Sequence, residues 1–577
     1  MPRLGRRLLS AGLIAGVLVT GLAAPAAAAT KTDKTSALER KRVDSVPTPK
    51  LGWYKCYDYA ECATTKLPLD YDQPKGAKTE IALVRIKAKD QKHKVGSLFL
   101  NPGGPGGSGT SIALAAPNFL SPALLQRFDI VGVDPRGVAN SANLKCFASV
   151  KDQTAVLSQM NVAFPVGKTE EAKYVAGAKK LGKACSTTGK PLSGAMSTAE
   201  VVRDMDVLRR AVGDKKLSFL GFSYGTAIGQ YYANMFPDRF RAIVVDGVLD
   251  PEHWVGTKKT ANQEQDERLK SADGAYKALR EILKRCDKAG EKYCAFAAGD
   301  PVKNFETIAQ QLRKKPLVVS DELGTFTITY ADFVGGILGD LYDVAAGDYV
   351  TQDAAYIQTL LSSSSKAAKA TARAGLIERI RGNQAKQQGR DFPYDNGFET
   401  FAGVDCTDGL HPKDAASWPA LMVKADKRAP YFGRAWGWGT AQCARNTWTV
   451  RDEDAYTGPW TRKTAAPVLL VGTQWDPATA YTDAVSASKR LPNSRLLSST
   501  NWGHTSYGTS ACATGAIDTY LLKGTLPAKG KLCQGEYQPF REPLDDDSAT
   551  TLRATAAEAQ RPPVSGPPMP STLAGTR

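Results

Sequence analysis

The sequence predicts an α/β fold with a mostly parallel central sheet, interrupted before its last core strands by a large, mainly helical domain. Three observations carry this. Apolar runs of strand character at residues 95–101, 128–134, 217–220 and 241–245 are interleaved with helix-compatible segments, the pattern of parallel strands joined by crossover helices. That pattern stops after Asp246-Gly247, and residues 251–459 carry long helix-compatible runs (261–284, 304–314, 354–380) with one candidate strand at 325–330. It resumes at 467–472 (PVLLVG) and 494–499 (SRLLSS).

At 577 residues the chain exceeds the roughly 250–300 residues at which a single core stops growing. Its first 29 residues read as a signal peptide: Arg3, Arg6 and Arg7 precede an apolar stretch at 8–22, and small residues follow at 26–29. A retained membrane anchor is disfavoured, because the apolar run falls short of the ~20 residues a span needs. Secretion is therefore expected, and the Arg6-Arg7 pair does not decide between the general and the twin-arginine export routes. The boundaries expected from these shifts are 1–29 for the signal peptide, 30–50 for a disordered leader or a removable pro-segment, 51–250 and 461–543 for the two parts of the core, 251–460 for the helical cap and 544–577 for a disordered tail.

The net charge of +17 falls to +14 without the three signal-peptide arginines, and the basic residues are scattered among acids, so no nucleic-acid partner is expected. Ten cysteines in an exported chain point to disulfides. The sequence does not choose among the possible pairings. Pairing neighbours in chain order is the expectation, because those loops close at the lowest entropic cost. Without a CxxC pair and with only four histidines, a zinc site is disfavoured, and no cofactor is expected.

The strand at 79–87 (TEIALVRIK) and the one at 95–101 lead into NPGGPGGSG, residues 101–109. A phosphate-cradling loop would need a lysine after its last glycine, and Thr110 stands there instead. The better reading is a loop whose free N–H, that of Gly104, faces a developing oxyanion. After the strand at 128–134, Asp134 and Arg136 read as loop-bracing charges, and 146–196 as a helical insertion.

Ser197 and Glu200 form a capping box for a helix with Val201, Met205, Leu208 and Val212 on its apolar face. The strand at 217–220 follows, then GFSYG (221–225) and another helix. Glycines two residues either side of Ser223 are what a nucleophile elbow needs, since a serine on so tight a turn leaves no room for neighbouring side chains.

A serine nucleophile requires a histidine base and a carboxylate to orient it. Asp476 stands just past the strand at 467–472 and His504 just past that at 494–499, giving the chain order Ser, Asp, His. His93, His253 and His411 fall elsewhere in the pattern. Asp483, the rival acid, lies a turn or two further on and is expected to face solvent.

The motifs NPGGPGGSG, DPRGVANS (134–141), GFSYGT (221–226), DGVLDP (246–251), VDCTDG (404–409), GTQWDPAT (472–479) and GHTS (503–506) resemble those of secreted bacterial tripeptidyl aminopeptidases, serine exopeptidases of the α/β-hydrolase superfamily related to proline iminopeptidases. Ala139, Ala480 and Thr505 depart from the family's usual glycine, proline and glycine. The resemblance implies an α/β-hydrolase fold with a cap, and release of tripeptides from a free N-terminus. It implies Ser223, Asp476 and His504 as catalytic residues and the N–H groups of Gly104 and Tyr224 as oxyanion hole. It also implies lid carboxylates for the substrate ammonium, with Glu399, Asp405 and Asp408 as candidates. Peptides or proteins are the expected partners of a monomeric enzyme that leaves the membrane once its signal is removed. Alternatives are a proline-releasing aminopeptidase, or an esterase or lipase using the same triad; a binding protein would have little need of the full set.

Overall fold

A computed structural model describes residues 32–387 and 394–544. Its strands are β1 (Tyr54–Cys56), β2 (Ala60–Pro68), β3 (Lys78–Ile86), β4 (Gly96–Asn101), β5 (Phe128–Val133), β6 (Leu217–Phe222), β7 (Phe240–Asp246), β8 (Leu317–Asp321), β9 (Gly324–Ile328), β10 (Val468–Trp475), β11 (Ser494–Trp502) and β12 (Leu532–Cys533). Ten of them form one sheet in the order β1-β2-β3-β5-β4-β6-β7-β10-β11-β12. The ladders from β1 to β5 are antiparallel, and from β5 to β12 every ladder is parallel. This is the α/β-hydrolase arrangement, with β6 at its centre.

Both faces of the central strands are buried, so their residues are apolar almost throughout. Leu98, Leu220 and Val244 pack on one face with Ile112 and Ile517 from helices Gly109–Phe119 and Ala511–Lys523. Phe99, Phe219 and Val245 pack on the other with Val202 and Ile228 from helices Thr198–Ala211 and Gly225–Met235.

Between β7 and β10 the chain builds a mainly helical lid with one antiparallel hairpin, β8–β9. The run expected at 261–284 is two helices, Gln265–Leu269 and Ser271–Ala289, because Lys270 adopts a left-handed conformation (φ +62°). The run expected at 354–380 likewise divides into Ala346–Ser362 and Lys366–Gln387 at a serine-rich junction, where the Ser365 hydroxyl accepts the Ala368 N–H. One apolar cluster continues from the sheet into the lid, joining Ile228 and Val245 to Trp254, Leu279, Phe305 and Trp418 without a break.

The disorder expected of a leader at 30–50 requires correction. Residues 32–50 are folded: Ala37–Asp44 is a helix packed beside Thr198–Ala211. Glu39 accepts two hydrogen bonds from the buried Arg203 (both 2.9 Å), and Arg42 pairs with Asp72 and Asp454. A charge-rich stretch that resembles disorder in composition is here half of a buried ionic network.

The five disulfides, Cys56–Cys62, Cys146–Cys185, Cys286–Cys294, Cys406–Cys443 and Cys512–Cys533, join neighbours in chain order, as loop-closure entropy favours. Among the described residues no helix is long and apolar enough to cross a membrane. The expected signal peptide, 1–29, and all but the first residue of the expected tail, 544–577, lie outside the described residues.

Candidate active site

Ser223 directly follows β6 and precedes helix Gly225–Met235 with φ +55°, a strained value for a residue with a side chain. Its N–H donates to the Asp246 carbonyl (3.0 Å) and its carbonyl accepts from Thr226 N–H (2.8 Å). The turn closes so tightly that a Cβ on Gly221 would stand 2.4 Å from the Gly225 carbonyl oxygen, which only glycine permits.

The glycine loop lies against this elbow. A Cβ on Gly103 would come within 2.8 Å of Ser223 Cβ and 2.9 Å of Tyr224 N. The Gly103 N–H is committed to Asn101 Oδ1 (2.9 Å). Asp134 braces the loop from below, accepting from Ser108 Oγ (2.7 Å) and Thr110 N–H (2.9 Å). Arg136, fully buried, ties its own loop to Asp204 and Glu200, both at 2.8 Å.

Asp476 and His504 leave the ends of β10 and β11, side by side in the sheet. His504 Nδ1 lies 2.8 and 2.9 Å from the two Asp476 oxygens. The carboxylate also accepts from the N–H groups of Ala478 and Thr479 (2.8 Å each) and from Thr479 Oγ1 (2.9 Å), so it is held on several sides while almost wholly buried. His504 Nε2 is buried and has no hydrogen-bond partner among the described residues, Ser223 included. Hydrogen bonds of this kind are commonly long in unliganded enzymes and tighten around substrate.

Three residues that sequence reasoning missed complete the frame. Asp246, at the end of β7, accepts from Ser506 N–H (3.0 Å) and Tyr507 N–H (2.8 Å) while its carbonyl holds Ser223, so it staples the histidine loop to the elbow. Burial pushes its carboxyl up to about 6, although those two N–H donors favour the charged form. A Cβ on Gly247 would sit 3.1 Å from His504 Cε1, which puts the imidazole beside that strand end. Thr479 is the second and Tyr342 the third; Tyr342 comes from the lid and packs its ring edge-on to the imidazole (centroids 5.2 Å). Only Asp246 left a signal in the sequence, an acid at a strand end followed by glycine.

The remaining histidines serve elsewhere. His93 is exposed beside Asp90, and His411 is buried with Nε2 against the Asp405 carbonyl, burial lowering it to about 3 and keeping it neutral. Asp483, expected to face solvent, is buried instead: it accepts from His253 Nδ1 (2.9 Å) and Asp250 N–H (3.1 Å), and burial raises it to about 6. Its partner, 230 positions away, is what draws it inward.

The lid acids also differ from expectation. Asp405 accepts from Gln265 Nε2, and Asp408 accepts from Thr198 N–H (2.7 Å), Thr198 Oγ1 and Trp254 Nε1 (2.9 Å). Both carboxylates are thus engaged by interior donors rather than turned to a cleft, burial raising them to about 7 and about 6. Their helix, Gly397–Asp408, is pinned by the Cys406–Cys443 disulfide and presses Thr400 against the glycine loop, where a Cβ on Gly106 would lie 2.6 Å from Thr400 Oγ1. Glu399 is buried and accepts from Tyr394 OH (2.7 Å). Two clusters have metal-ligand types: Asp405, His411 and Cys443, and Glu200, Asp452 and Asp454. Cys443 is bonded to Cys406, and arginines 136 and 203 neutralise the second group.

A family model described as "alpha/beta hydrolase fold" matches residues 96–276, and one described as "TAP-like protein" matches residues 429–533. A tripeptidyl aminopeptidase of Streptomyces lividans is 29% identical over 498 residues, 83% of this chain and 84% of that protein. A serine protease of Mycobacterium bovis is 29% identical over 82% of this chain and 87% of its own length. A protein named carboxylesterase B from Mycobacterium tuberculosis is also 29% identical, over 92% and 98%. The first model covers β4 to β7 and the second β10 to β12, and together they carry the elbow, the acid and the histidine. The chain has the α/β-hydrolase fold and is similar over most of its length to tripeptidyl aminopeptidases and to a serine protease of the same class.

Proposed function

We propose that the protein is a secreted serine exopeptidase that releases tripeptides from the free N-terminus of peptides or proteins. Ser223 Oγ attacks the scissile carbonyl while His504 Nε2 takes its proton, and Asp476 holds the imidazole by Nδ1 and stabilises its charge. The Gly104 and Tyr224 N–H groups receive the oxyanion. His504 then protonates the departing amine, and water resolves the acyl-enzyme by the same route. The observation that carries this reading is the pairing of a left-handed Ser223 with the 2.8 Å contact between His504 and Asp476, joined through Asp246 in one loop cluster.

The substrate ammonium needs a carboxylate. Of the three lid acids, Glu399 is the one that adjoins Thr400, which touches the glycine loop. Burial pushes it up to about 7, so an incoming cation would draw it into the charged form. In this reading the core is residues 51–250 and 461–543, and the cap is 251–460.

A second reading, an esterase, is favoured by the carboxylesterase B relative, which is covered almost end to end. Tripeptidyl anilides with free and with blocked N-termini, assayed beside short acyl esters, separate the two. Turnover confined to the free N-terminus supports the exopeptidase; equal turnover of blocked substrates with preference for esters rejects it.

A further inference from the structure

We infer that Thr198 and Asp408 are positioning residues for the oxyanion hole, acting through the side chain of Tyr224. The inference rests on the reading of the Tyr224 N–H as an oxyanion donor. Tyr224 follows Ser223 directly and stands at the start of helix Gly225–Met235 without a side-chain cap of its own, so where its phenol is anchored bears on where its peptide N–H points. That phenol is buried, with its hydroxyl 2.5 Å from Thr198 Oγ1.

Thr198 in turn gives both of its protons to Asp408, its N–H to Oδ1 at 2.7 Å and its hydroxyl to Oδ2. A hydroxyl carries one hydrogen, so the Tyr224 hydroxyl must be the donor to Thr198. The bonds therefore run one way, from Tyr224 through Thr198 to Asp408, and end on a carboxylate that also takes the Trp254 indole N–H. Trp254 closes the arrangement by packing its ring against that of Tyr224, with centroids 5.3 Å apart. Thr198 belongs to the core helix before the elbow and Asp408 to the lid, so the donor's anchor is completed only where lid and core meet.

A tie between lid and core could instead be structural only, and the test must tell the two apart. Thr198→Val keeps the backbone bond to Asp408 but removes the hydroxyl, Thr198→Ser keeps both, and Tyr224→Phe removes the other end. Each variant is measured for kcat and KM on a free tripeptidyl anilide, for inhibition by a peptide aldehyde, which forms a tetrahedral adduct bearing the oxyanion, and for Tm. Thr198→Val is expected to lower kcat and weaken aldehyde binding by about tenfold, a fraction of the 10²–10³ that losing a whole oxyanion donor costs, with KM within about twofold. Thr198→Ser is expected to restore both, and the Val/Phe double variant to be no worse than Thr198→Val alone. A lowered Tm with unchanged kcat and aldehyde affinity overturns the inference, as do additive losses. Ser223→Ala serves as the separate control. If it retains turnover, the assignment of the site itself fails; if it is inactive while Thr198→Val matches wild type, only the role of Thr198 is lost. Should Thr198→Val not fold, the same comparison is made with Tyr224→Phe against wild type.

Discussion

The backbone carbonyl of Tyr342, in the lid, accepts the N–H of His504 at 3.0 Å. The same residue lays its ring against the imidazole at 72°. The proposed base is thus held from one side by Asp476 and from another by a residue that belongs to no core strand. An edge-on aromatic pair contributes about 0.5–1.5 kcal/mol beyond its buried area. Tyr342→Ala is therefore expected to lower kcat severalfold while Tyr342→Phe stays near wild type, read from steady-state kinetics on a tripeptidyl anilide.

Glu399→Gln removes the charge but keeps the shape. Against substrates with a free N-terminus it is expected to raise KM about tenfold or more, the scale of one charge-assisted hydrogen bond. Hydrolysis of a blocked acyl ester should be unaffected. A parallel loss on both substrates would place Glu399 in the scaffold instead.

Residues 37–44 are expected to persist in the mature protein, which N-terminal sequencing of secreted material will check. Glu39→Ala would leave Arg203 short of one of its buried partners. Removing one member of a buried pair costs roughly 3–5 kcal/mol, so a fall in Tm of several degrees is expected, with KM unchanged if the protein folds.

Stability should depend on pH in a defined direction. Burial raises Asp246, Asp408 and Asp483 to about 6 and Glu200 and Asp405 to about 7, so the folded state holds protons that the unfolded state releases. The stability these groups contribute is complete below their ordinary carboxylate range and is lost as pH rises through about 6 to 7. Asp44, Asp72 and Asp129 are lowered instead, through Arg239 for the first, Arg42 for the second, and Lys94 with neighbouring donors against burial for the third; their contribution is lost in stronger acid. Calorimetry across pH 3 to 9 should therefore find the highest Tm in mild acid. A maximum above pH 7 would contradict this.

Ser223, Asp476 and His504 were legible because each follows an apolar strand run, and a parallel sheet delivers successive strand ends to one edge. What encloses them was not. Tyr342 meets His504 only through the packing of a helical domain, and no spacing in the chain announces it. Asp483 misleads for the same reason, since helical phase alone turns it outward and a distant histidine turns it in. The motif around Cys406 did not show the direction of its acids, because Thr198 and Gln265, the donors that capture Asp408 and Asp405, lie more than a hundred residues upstream. The charged stretch near residue 40 hid its helix by being polar without being solvated.

The apolar cluster that crosses from sheet to lid has a mechanical consequence. A domain sharing its oily interior with the helices on one face of the sheet does not swing on a hinge; parting the two would expose that interior and amount to partial unfolding.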